Sequence, residues 1–137
     1  MHATATATVA APASRVWAVL SDHEGMSSWA PGLKITLIRP GAPEPNGVGA
    51  QRRIKAIPGV PPIVEEVIAF EPDQRMSYRG VSGMPFRNYV GDVVLRPSGS
   101  GTAITYTVSA DNPVPGVAAV LANGLLFALK RAVKKAG

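Results

Sequence analysis

The sequence predicts an α+β domain. A curved antiparallel sheet of about seven strands carries two short helices after its first strand and a long C-terminal helix across one face. Three observations carry this expectation. Residues 3–10 alternate Ala and Thr before Val9, a period-two pattern with β-branched residues. Between Leu33 and Ala110, six further strand-like segments are separated by short Gly- and Pro-rich breaks. After Gly116 the chain is one continuous helical pattern to Ala136.

The elements follow in order. Pro12 opens a helix running to about Ser21, because a proline loses nothing by lacking an N–H in the first turn. Val16, Trp17 and Leu20 share one side of it, which places Trp17 in the core. A second short helix or turn spans Asp22 to Trp29 and stops at Pro31-Gly32. Strands are expected at Leu33–Arg39, Val48–Ile57, Ile63–Phe70, Arg75–Val81, Phe86–Arg96 and Thr102–Ala110. The connections after Ile63 are of hairpin length, so neighbouring strands run antiparallel. Asn112 to Gly116 ends the β region. In the last helix Val117, Leu121, Leu125, Leu129 and Val133 recur every fourth residue, with Ala118, Ala122, Ala128 and Ala132 beside them. Leu121, Leu125 and Leu129 are the residues expected to cover the sheet. A bent sheet and one long helix do not mate flatly, so a cavity between them is expected.

Composition removes several classes of function. The 137 residues fit one domain, residues 1–137, and 46% of them are hydrophobic. There is no Cys, which excludes a thiolate nucleophile, an iron–sulfur site and a disulfide framework. His2 and His23 are the only histidines, too few for a His-rich zinc site, and no metal or cofactor is expected. No basic n-region with a continuous apolar stretch opens the chain, and no run of 18 apolar residues occurs. A cytoplasmic protein without a membrane span is expected.

The net charge is +5 and the pI about 10. Cations cluster only at Arg52-Arg53-Lys55 and Lys130-Arg131-Lys134-Lys135, with no interleaved stacking aromatics. Both clusters read as solvated basic surface, and no specific nucleic-acid partner is expected. Val120 and Phe127 fall on the otherwise polar side of the last helix, a small apolar patch that leaves monomer and homodimer both open.

Strand parity selects the polar candidates. Tyr89, Val93 and Leu95 share a face opposite Asn88, Asp92 and Arg96, and Ile104, Tyr106 and Val108 share another. The apolar sets point inward, carrying Tyr89 and Tyr106 with them. Glu65 shares parity with Val67, and Arg52 with Ile54, so the two meet if both point in. They then form either a structural ion pair or a polar anchor for a ligand. A slip of one residue would put Glu66 or Arg53 there instead. Trp29 lies where the second helix meets the next loop, at the cavity mouth or as a core plug. His23 could serve as an acid or base near neutral pH. With no nucleophile or orienting carboxylate recognisable beside it, a surface or helix-capping place is favoured. Asn46 to Gly49 and Ser98 to Gly101 match no phosphate-binding pattern and read as turns, and Ser82 lacks the nucleophile-elbow spacing.

The pattern resembles the START-like, or SRPBCC, superfamily with its helix-grip fold, over essentially the whole chain, and within it the polyketide cyclase/dehydrase-like branch. The residues that carry the resemblance run from Ala11-Pro12 through Val16-Trp17 and Ser21-Asp22 to Trp29 and Pro31-Gly32. They continue with Gly49 to Arg53, Glu65-Glu66-Val67, Arg75 to Arg79, Pro85 to Tyr89 and Gly101 to Tyr106. The resemblance implies that a small hydrophobic molecule, lipid-, polyketide- or aromatic-like, binds between sheet and last helix. Trp29, Arg52, Glu65, Tyr89, Tyr106, Leu121 and Leu125 are the candidate ligand contacts. The alternative it implies is a cyclase or dehydratase in which Arg52, Glu65 and Tyr89 steer enol chemistry. The fold alone does not choose between carrier and enzyme.

Overall fold

The computed structural model describes residues 1–30, 32–56, 58–111 and 116–136. Pro31, Ile57 and the break expected at 112–115 lie outside the described residues. The order is β1 (His2–Val9), α1 (Ala13–Leu20), α2 (Met26–Trp29), β2 (Lys34–Arg39), β3 (Gln51–Lys55), β4 (Ile63–Glu71), β5 (Arg75–Ser82), β6 (Val90–Ser98), β7 (Gly101–Ser109) and α3 (Val117–Ala136). The strands form one antiparallel sheet in the order β1-β7-β6-β5-β4-β3-β2. Every strand after β2 therefore pairs with its sequence neighbour, and β1 closes on β7.

Alternation sets which side chains face the helices. In β7, Thr102, Ile104, Tyr106 and Val108 are buried while the residues between them are half-exposed. In β6, Gly91, Val93 and Leu95 are buried, and Tyr89 just ahead of the strand keeps the same parity. The strand begins at Val90 rather than Phe86, because Asn88 takes a left-handed backbone (φ 54°) inside a turn. Likewise β3 begins at Gln51 rather than Val48, since Gly49 has φ 90° and Ala50 N–H closes a turn onto Gly47 O at 3.0 Å. Pro12 stands at the N-cap of α1 with extended backbone, one residue ahead of the first turn.

α3 lies against β1, β7 and α1. Its buried face is Ala118, Ala122, Leu126, Leu129, Ala132 and Val133. The expected stripe is corrected by part of a turn. Leu129 is at its centre, but Leu121 and Leu125 are half-buried flanks, and Leu126 takes the interior place. The error arises because a strict four-residue repeat drifts around a helix of 3.6 residues per turn. Among the described residues, no helix is long and apolar enough to cross a membrane.

The connection between α1 and α2 closes the other end of the sheet. Ile35 N–H donates to Ser27 Oγ of α2 at 2.9 Å, and Leu37 N–H to Glu24 Oε2 at 3.3 Å, which binds α2 and the connection to β2. Asn46 Nδ2 donates to Ser21 O at 2.9 Å from the loop before β3. Met26, Ala30 and Ile35 form a small second core there, with Trp29, Leu33, Ile54 and Leu125 packed on it.

Candidate functional site

β3 and β4 pair with Arg52 directly opposite Glu65. Period two sends both side chains to the helix-facing side, together with Val67, and sends Arg53 and Glu66 outward. The inward register therefore belongs to Arg52 and Glu65. Outside, Glu66 accepts from Arg39 at 2.9 Å, Gln51 at 2.8 Å and Arg79 at 3.3 Å.

Inside, Arg52 Nε and Nη2 both donate to Glu65 Oε1, at 3.0 and 2.8 Å. Each residue is 5% exposed. Arg52 is thus no part of a solvated basic surface, as the Arg52-Arg53-Lys55 cluster suggested. Its Nη1 reaches His23 Nδ1 at 3.3 Å, and His23 Nε2 lies 2.8 Å from Asn46 O. Arginine only donates, so Nδ1 accepts and the ring proton sits on Nε2, directed at the carbonyl. The guanidinium carbon stands 4.7 Å from the centre of the Tyr78 ring. The Tyr78 and Tyr106 hydroxyls are 2.5 Å apart, and the Tyr89 ring is 6.2 Å from that of Tyr78.

Tyr78 fits because its cross-strand partner is Gly91. A Cβ at Gly91 would collide with the Tyr78 ring, so the glycine is what admits the ring at that spot.

Electrostatics follow from burial. Burial works against the Arg52 charge, but its neighbours, Glu65 first, more than offset this and hold the guanidinium above its ordinary pKa. Burial also raises all three tyrosines, Tyr78 well above the usual value and Tyr106 to about 12. All three hydroxyls therefore stay protonated at neutral pH. His23 is lowered from 6.5 to about 4, by burial first and the Arg52 charge second. The cluster is one fixed ion pair, one neutral imidazole and three neutral hydroxyls.

His23 gives a pH test. It is 1% exposed and neutral in the fold, while the unfolded chain takes up the proton near 6.5. Its stabilising contribution is complete above 6.5 and is lost as pH falls to about 4. The loss should reach about 3 kcal/mol over that window. Urea denaturation of the wild type and His23→Gln at stepped pH should show the variant with a shallower decline. Parallel curves would remove His23 from the account.

Of the candidates from sequence, Arg52, Glu65, Tyr89 and Tyr106 come together. Trp29 is half-buried against both cores, and its buried Nε1 meets no hydrogen-bond partner among the described residues. Leu121 and Leu125 pack on the main core without being covered, and Leu125 touches the second core as well. Tyr78 and His23 are missing from the ligand contacts that the sequence suggests. For Tyr78 a signal exists: Met76 and Tyr78 alternate with Arg75 and Arg79. For His23 there is none, because it lies in a turn without periodicity, and its expected surface place is overturned by docking of that turn onto Arg52. Among the described residues no group of three or more His, Asp or Glu is placed to hold a metal ion.

Four pockets open elsewhere, and none of the four is lined by Arg52, Glu65 or a tyrosine. One of about 420 Å³ lies between β1, α1 and the end of α3.

A seven-stranded antiparallel sheet closed around one long helix, with two short helices after its first strand, is the helix-grip fold of START-like proteins. Residues 1–136 match the family described as polyketide cyclase/dehydrase and lipid transport, and the chain belongs to it. Among solved structures it is similar to a START superfamily protein from Mycobacterium smegmatis, with 18% identity, 99% of each chain covered and a TM-score of 0.81. It is also similar to the protein TTHA0849 from Thermus thermophilus, at 20% identity over 100% of this chain and 99% of that one, TM-score 0.74. A third is the Aha1 dimer from Colwellia psychrerythraea, at 14% identity over 98% of this chain and 94% of that one, TM-score 0.74. At these identities the likeness is one of fold. No curated protein matches the chain.

Proposed function

We propose that the protein binds a small hydrophobic molecule, lipid-, polyketide- or aromatic-like, between the sheet and α3. One observation carries the reading: an ion pair, an imidazole and three hydroxyls lie buried on the helix-facing side of the sheet, within an interior that is otherwise apolar apart from Thr102. A buried ion pair is commonly no more stabilising than an apolar core of the same shape. Its presence here is better accounted for by a need to orient polar atoms of a greasy guest. The orphan Trp29 N–H adds a donor without a protein acceptor among the described residues. Trp29, Leu121, Leu125 and Met84 are half-buried side chains packed on the core, and small shifts of these would admit a guest. The family's description, which couples cyclase/dehydrase chemistry with lipid transport, supports the same class of guest.

The enzyme alternative, a cyclase or dehydratase, would use the same residues. Against it, both His23 nitrogens are already engaged, by Arg52 and by Asn46 O, so the only buried imidazole is not free to move a proton.

Native mass spectrometry of protein purified from its own host tests the reading, with an apolar molecule expected to co-purify. An empty protein whose melting is unmoved by fatty acids, sterols and fused-ring aromatic polyketides would overturn it. Given a ligand, Tyr89→Phe should weaken binding by about 0.5–1.5 kcal/mol and leave the free protein nearly unchanged. Paired thermal melts of both proteins, with and without saturating ligand, measure this. A destabilised free protein with unaltered affinity would make the Tyr89 hydroxyl purely structural.

A further inference from the structure

We propose that the outer face of the last turns of α3, with the start of α1, docks on an anionic lipid surface. This goes beyond the ligand reading and does not depend on it.

Charge on this molecule is segregated. On the sheet, Arg39, Arg52, Arg75 and Arg79 each meet a carboxylate. On the helices, Arg15, Lys130, Arg131, Lys134 and Lys135 are all exposed, and none forms a salt bridge with a described residue. α1 and α3 contain no acidic residue at all. The other nine cations, among them exposed Lys34, Arg53, Lys55 and Arg96 of the sheet, are matched in number by the nine carboxylates, so the excess of +5 equals the five cations of α1 and α3.

The same side carries the two most exposed large apolar side chains among the described residues, Val120 at 72% and Phe127 at 62%. Seven residues apart, they share a helix face. The Arg131 guanidinium carbon lies 5.9 Å from the Phe127 ring centre, so cation and ring are presented together. Beside them opens the 420 Å³ groove, with buried Ala11 and Val133 in its floor and Arg15, Lys130 and Lys134 along its rim.

The combination selects the partner. A second copy related by a two-fold axis would set this cationic patch against itself. The phosphates of a nucleic acid would match the cations but leave the exposed ring, Val120 and the apolar floor without a partner. Lipid phosphates match the cations, and Phe127 and Val120 match the acyl boundary beneath them.

Vesicle co-sedimentation tests the proposal, using phosphatidylcholine alone and phosphatidylcholine with roughly a third phosphatidylglycerol. Binding is expected only with the anionic lipid, and should weaken severalfold as salt rises from about 0.1 to about 0.5 M. Lys130→Glu with Arg131→Glu should lower the partition coefficient at least about tenfold. Phe127→Ser should lower it severalfold and keep the salt dependence. Lys134→Glu with Lys135→Glu is an independent charge reversal, and each variant is compared at an unchanged melting temperature. No binding to anionic vesicles, equal binding to phosphatidylcholine alone, or full binding by both charge-reversed variants would each overturn it. So would a concentration-dependent dimer dispersed by Phe127→Ser, which would assign the face to a second copy. Tight binding of a duplex oligonucleotide with no vesicle binding would assign it to nucleic acid and overturn it equally.

Discussion

Arg52→Ala should destabilise the protein by about 3–5 kcal/mol. The reason is not the value of the ion pair. Glu65 is 5% exposed, and both of the Arg52 contacts it accepts converge on one oxygen, Oε1. Removing the guanidinium leaves a carboxylate facing Tyr78 and the apolar interior with no counter-ion and no route to water. It also strips His23 Nδ1 of its donor. Replacing both partners by apolar residues should recover most of the loss, because the charge and its penalty leave together. Chemical denaturation of Arg52→Leu, Glu65→Leu and Arg52→Leu/Glu65→Leu forms the cycle, with Arg52→Ala measured beside it. A double variant as unstable as the worse single variant would mean that the pair itself stabilises the fold. The question of function would then turn on the tyrosines alone.

Leu129→Ala should cost about 2–5 kcal/mol, with Leu126→Ala in the same range and Leu125→Ala nearer 1 kcal/mol. Leu129 is fully buried, Leu126 is 5% exposed and Leu125 lies on the half-buried flank of α3. The cost at Leu129 combines lost burial with a cavity that the packed strands cannot collapse to fill. Urea midpoints of the three variants rank them directly. A larger loss at Leu125 than at Leu126 would rotate the helix back to the face read from its four-residue repeat.

These two expectations mark how far the sequence reaches. Alternation in residues 3–10 and 102–110, hairpin-length breaks between strands, and a single long terminal helix suffice to specify the element order, because each depends on local periodicity. The same periodicity turns Tyr89 and Tyr106 toward the helices, since strand parity survives an error of several residues in where a strand begins. Phe86 to Tyr89 proved to be a turn and yet Tyr89 faces inward as its parity requires.

What local pattern cannot contain, the tertiary structure decided. Whether Arg52 or Arg53 faces in depends on pairing register between β3 and β4, and register is fixed by the whole sheet's fit to its core. The buried place of His23 depends on a turn docking across β2 and the loop at Asn46, through bonds between residues more than twenty positions apart. The room for Tyr78 depends on Gly91 in the adjacent strand, a pairing no single segment records. The face that α3 buries depends on 3.6 residues per turn meeting a particular curved surface. Sequence alone therefore determined which elements form and which residue types the interior must accommodate. Only packing decided which of those polar groups touch, because their contacts are long-range and their burial is a property of the assembled layers.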